Sequence, residues 1–125
     1  METVTPRLLN ILGVAAMLSL AACASSQKAT ATADVAVSRN AVDNAVGAGA
    51  ADVAPAEVNA ARAKMLRANE ALAAKDYTLA RQLATEAQAD AKLAQSKANS
   101  AKANATANAL DADLRVLQQE VDRNR

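Results

Sequence analysis

The stretch that decides the fold is YTLARQLATEAQADAKLAQSKANSAKANA, residues 77–105. Within it Tyr77, Ala80, Ala84, Ala87, Ala91, Ala94, Ala98, Ala101 and Ala105 recur at alternating spacings of 3 and 4, with no slot missed over four heptads. That period places all nine on one face of a helix. A seam of alanine lets neighbouring helices approach more closely than a seam of leucine, with less apolar area buried per contact. Past Ala105 the seam would reach Asn108, and a second stripe takes over: Ala103, Ala107, Leu110, Leu114, Leu117 and Val121. One helix from Asp76 to about Asp122 is predicted, about 70 Å long at 1.5 Å per residue.

Upstream, Lys75-Asp76-Tyr77 breaks the pattern, and Asp76 is placed to cap the long helix. Tyr77, the only aromatic residue, reads as a packing cap at this turn with its hydroxyl in water. Before the turn, Val58, Ala61, Met65, Ala68 and Leu72 form a 3-4-3-4 stripe on a helix of about 20 residues, which Pro55 opens from a position where its missing N–H costs nothing. Earlier still, Val35, Val42 and Val46 predict a short first helix over about 33–46, stopped by Gly47 and Gly49. The expected fold is therefore all-α: a short first helix, then an antiparallel hairpin whose long third helix carries an alanine seam in coiled-coil fashion.

Composition excludes most chemistry. The 125-residue chain has no His, Trp or Phe, and Cys23 is its only cysteine, so no usual zinc site, His-assisted nucleophile or disulfide is expected. A net charge of +1 argues against nucleic acid as a partner, since phosphate recognition needs clustered cations and stacking rings. The remaining polar groups have plain readings. Asp111 and Asp113 point to different helix faces, Asp111 is expected to pair with Arg115 at i, i+4, and Arg62, Lys64 and Arg67 read as a solvated face. No enzyme, metal or cofactor is expected.

The N-terminus reads as an address. An apolar run from Leu8 to Leu20 has the length of a signal-peptide core and is too short to span a bilayer. It leads into Leu20-Ala21-Ala22-Cys23, which resembles the lipobox of bacterial lipoproteins. The resemblance implies removal of residues 1–22, a covalent lipid on Cys23 and stable membrane anchoring. Ala24, rather than an aspartate, follows the cysteine. That implies an outer-membrane location facing the periplasm. Residues 23–32 would be the lipidated cysteine and a flexible small-polar tether, with the helical domain over 33–125.

The run Ala54-Pro55-Ala56-Glu57-Val58, followed by AARAKMLRANEALAA over 60–74 and Lys75-Asp76-Tyr77-Thr78-Leu79-Ala80-Arg81-Gln82-Leu83-Ala84, resembles an alanine-rich bacterial lipoprotein family of unknown function. In that family the domain occurs alone or ahead of an OmpA-like domain. No OmpA-like segment follows here, so peptidoglycan binding is not carried over, and the family has no catalytic residues to transfer. The helix-turn-helix around Asp76 is also similar to a tetratricopeptide turn, but a single unit makes no solenoid. Lipid plus alanine heptads resemble the murein lipoprotein. The chain ends Asp122-Arg123-Asn124-Arg125, without the terminal lysine that a covalent peptidoglycan link requires.

Helix lengths carry the functional expectation. The second helix, returning antiparallel, covers the third only to about residue 97. Leu110, Leu114, Leu117 and Val121 are then either a face for self-association or a protein partner, or a face onto which the first helix folds back in part or which frays. The expected function is a non-catalytic, periplasm-facing helical scaffold or protein-interaction module of the outer membrane. The alternative is a small accessory lipoprotein subunit of an envelope transport or secretion complex.

Overall fold

The computed structural model describes the backbone of residues 5–125 and the side chains of residues 26–125. Four helices follow in order: α1 (Thr5–Gly47), the single-turn α2 (Ala50–Val53), α3 (Pro55–Ala73) and α4 (Tyr77–Arg123). No strand occurs among the described residues. The all-α fold, the hairpin and the long alanine-seamed helix are those the heptads predict. Two elements differ from expectation. The first helix does not start near residue 33, because residues 26–32, read as tether, continue α1 and bury Ala31 completely. The connection after Gly47 adds the α2 turn, whose Ala50, together with Ala54, is buried in the same core.

Sequence explains why α1 extends. Ala31, Val35, Ser38, Val42 and Ala45 are all buried, at spacings of 4, 3, 4 and 3. The tether reading rests on the small polar composition of residues 24–32. Small residues are what a close helix contact selects, and Ala31 sits in a layer with Ala71 and Ala80. The α1 stop is where the glycines predict it: Gly49 adopts φ 85°, the left-handed conformation that glycine enters without steric cost.

The turn from α3 to α4 is fully hydrogen-bonded. The Asp76 N–H donates to the Ala71 carbonyl at 2.9 Å and the Lys75 N–H to the Leu72 carbonyl at 3.1 Å, which is a Schellman arrangement with Lys75 in the left-handed position at φ 63°. One residue later Asp76 caps α4 as expected, its Oδ1 accepting from the Leu79 N–H at 3.0 Å. The same tripeptide therefore ends one helix and starts the next. This is why the hairpin is tight.

Three helices pack as a bundle. In α3 Val58, Ala61, Met65, Ala68 and Ala71 are buried and Leu72 is half-buried. In α4 Ala80, Leu83, Ala84, Ala87, Ala91, Ala94 and Ala98 are buried. Leu83 was missing from the predicted seam; it precedes Ala84 and widens the buried stripe because α4 faces two helices, not one. The seam stops at Ala98, with Ala101 half-buried and Ala105 exposed. Cross-helix contacts fix directions: Ala31 meets Ala80, and the Ser38 hydroxyl lies 2.7 Å from the Ala84 carbonyl, so α1 runs parallel to α4. Lys64 meets Asp90 and Glu57 meets Lys97, so α3 runs antiparallel to it.

Candidate interaction face on the distal helix

Beyond Ala98 no residue of α4 is buried, and from Lys102 onward all are exposed. The backbone nonetheless continues as one helix to Arg123. Alanine-rich sequence sustains it, since alanine gives up least on entering a helix. On this naked half the second stripe stands open: Leu110 is 59% exposed, Leu114 48%, Leu117 56% and Val121 53%. The structure thus decides between the two readings of the stripe for the chain itself. Neither α1 nor α3 covers it, since burial along α4 ends at Ala98 and partial burial at Ala101. Val116, also exposed, projects from a different face.

The stripe has relief. Leu114, Leu117, Gln118, Val121 and Asp122 line an open concavity on α4. Four of these residues lie at i, i+3, i+4 and i+7, which is the set that forms the receiving hole in a coiled coil. Two other concavities lie on the bundle. One is at the α3–α4 turn, lined by residues such as Arg67, Leu79 and Leu83, and the other lies between α1 and α3 beside Val35 and Leu72. Neither gathers a set of reactive side chains. Among the described residues no cluster of metal-ligating groups occurs and no helix is long and apolar enough to cross a membrane.

Charged residues of the bundle tie helices together. Arg81 Nε donates to Asp34 Oδ2 at 2.9 Å between α1 and α4, and Lys64 Nζ to Asp90 Oδ2 at 2.8 Å between α3 and α4, with Glu86 at 3.6 Å. Lys97 pairs with Glu57. The Lys64 reading as a solvated cation is therefore revised: the antiparallel return of α3 carries it over two α4 carboxylates. The hydrogen bond from Lys97 holds the Glu57 carboxyl below its ordinary pKa, and the hydrogen bond to Asp90 raises that of Lys64. Arg62 and Arg67 are exposed as expected. The expected Asp111–Arg115 pair does not form. Both side chains are in water, where such a pair gains only tenths of a kcal/mol.

Tyr77 is half-buried against Ala31, Ala71 and Ala80, in line with its reading as a packing cap. Leu20, Ala21, Ala22 and Cys23 lie outside the residues whose side chains are described. The parallel run of α1 and α4 still orders the molecule. The N-terminal side of α1 leaves the bundle at the Tyr77 end, and the stripe lies at the other end, about 60 Å away along α4 from the Ala80 layer to Val121.

Compared with known families, residues 33–110 match the model of a domain of unknown function (DUF4398). No curated protein and no solved structure matches the chain. The matched segment takes in the bundle and the exposed helix as far as Leu110, and leaves Leu114, Leu117 and Val121 outside it.

Proposed function

The chain belongs to the DUF4398 family, and from that premise we propose that it is an outer-membrane lipoprotein, anchored through lipid on Cys23, that acts in the periplasm as a helical spacer and protein-interaction module. The observation that carries this reading is the opposition of the two ends. The α1 end, which leads back to Cys23, leaves the bundle beside Tyr77, while the exposed stripe Leu110, Leu114, Leu117 and Val121 stands at the far end of a continuous helix. An anchored chain built this way holds an apolar face away from the membrane. The lipobox likeness of Leu20-Ala21-Ala22-Cys23 supports the anchor, and the lack of His and of a second cysteine supports a non-catalytic role. The partners in this reading are membrane lipid at one end and protein at the other, without cofactor, metal or nucleic acid.

The anchor is tested by palmitate labelling and membrane fractionation of the full chain beside Cys23→Ser. Label and outer-membrane recovery in the wild type, both lost in the variant, are the expected result. A label that persists in Cys23→Ser would remove the reading. The runner-up, an accessory subunit of an envelope transport or secretion complex, uses the same stripe on a foreign protein. A stoichiometric partner retained on purification from solubilised envelopes, and lost on Leu114→Asp, would favour it.

A further inference from the structure

We propose that the distal stripe is a pairing surface for a second copy of this chain, and that the two copies run parallel and in register over about residues 107–124. The inference deepens the proposed function by naming the partner of its interaction face. Three observations carry it.

Shape comes first. The concavity of Leu114, Leu117, Gln118 and Val121 is a hole of the kind that accepts one apolar knob. In a parallel in-register pair the knob that meets this hole is Leu117 of the second copy. The stripe alternates Ala107, Leu110, Leu114, Leu117 and Val121 at 3 and 4, so a self-complementary seam is complete without any other sequence.

Charge sets the direction. The residues of α4 flanking the seam on one side are Thr106, Asp113 and Glu120, and on the other Asp111 and Gln118. Antiparallel helices face each flank to its own kind, which brings Asp113 and Glu120 against Asp113 and Glu120 of the other copy. Parallel helices face one flank to the other. Asp113 then meets Gln118 and Asp111 meets Thr106, Glu120 faces the chain just past the last helical residue Arg123, and no like charges are opposed. Like-charge contact is the usual way a coiled coil rejects a wrong orientation.

Reach comes third. The stripe occupies the free end of a helix that the bundle leaves bare for its last 22 residues, counted from Lys102 to Arg123, so two copies meet there without rearranging the core. About three heptads with a few large residues make a weak pair in dilute solution. Anchoring both copies by the same end in one membrane raises their effective concentration and aligns them in the parallel sense.

The test is disulfide trapping in isolated envelopes containing the full chain, with wild type, Leu117→Cys and Gln119→Cys compared under a mild oxidant on non-reducing gels. The expected result is a species of twice the chain mass for Leu117→Cys, at least fivefold above wild type and above Gln119→Cys, which lies off the seam. Equal trapping at Leu117 and Gln119, or none at Leu117, overturns the pairing. A Leu117→Cys product of another mass overturns it in favour of a foreign protein. Trapping only between co-expressed Leu114→Cys and Leu117→Cys chains overturns the parallel direction. Failure of the anchor reading is seen separately: a wild-type chain that itself forms a disulfide dimer carries a free Cys23 thiol, and the Leu117 comparison is then repeated on Cys23→Ser.

Discussion

At the residue scale the bundle is held by what alanine lacks. Ala84 and Ala87 are wholly buried, and the Ser38 hydroxyl reaches the Ala84 carbonyl at 2.7 Å because no larger side chain keeps α1 from α4. Adding three carbons at such a position forces the helices apart. Ala87→Leu is expected to destabilise by about 1–3 kcal/mol, read as a lower urea midpoint by circular dichroism. Lys75 gives the opposite sign. It occupies the left-handed corner of the α3–α4 turn, a conformation that costs a side-chain-bearing residue about 1–2 kcal/mol. Lys75→Gly is therefore expected to raise the thermal midpoint, with a gain of about 1 kcal/mol once glycine's greater freedom in the unfolded chain is subtracted. The cap at Asp76 was legible from type and position alone. The conformation of Lys75 was not, because nothing in Ala74-Lys75-Asp76 marks a left-handed residue where glycine is the usual choice.

At the scale of elements, α3 and the seam of α4 were readable because their period is unbroken and their boundaries carry Pro55 and Asp76. The start of α1 was not. Its buried positions Ala31 and Ser38 are small, and in a chain where alanine fills more than a quarter of the positions a small residue signals tether and contact equally. Only the return of α3, which places Ala71 opposite Ala31, separates the two. The far half of α4 contributes no buried residue beyond Ala98, so deleting residues 106–125 is expected to leave the bundle's unfolding free energy unchanged within about 0.5 kcal/mol while lowering helical content. A large fall in that free energy would mean that the stripe packs back on the bundle. The helix-joining ion pairs set the pH response. Glu57 has its folded-state pKa lowered, so its contribution is present above the unfolded carboxylate value and is lost as pH falls through the lowered one. Lys64 has its pKa raised, so its contribution holds below the ordinary lysine value and is lost only as pH rises through the higher one. Thermal melts should be flat across neutral pH and fall at both extremes, and Glu57→Gln should flatten the acid limb.

At the scale of the whole molecule, the direction of α1 matters more than any contact. Parallel packing against α4 sends the N-terminal segment and the stripe to opposite ends, an arrangement that the heptads could not specify, since either direction of α1 satisfies the same apolar period. The stripe itself was legible to the residue; its openness followed from helix lengths and needed the structure only to exclude α1 as its cover. If the chain stands on a membrane through Cys23, a fluorophore at Gln27→Cys lies near the bilayer and one at Gln119→Cys about 65 Å farther along the rod. Quenching by a lipid-borne acceptor is expected to be strong at the first and absent at the second. Equal quenching would mean that the rod lies flat.

The continuity of α4 has a mechanical consequence. A single helix with no break between Tyr77 and Arg123 carries a tilt at its base out to its tip, so it is a lever. A swing of ~10° at the Tyr77 end displaces Val121 by about 10 Å, given the rise of an α-helix. Small rocking of the bundle thus sweeps the tip through an area wider than the helix itself, and the stripe searches a disc of neighbours while its foot stays in place.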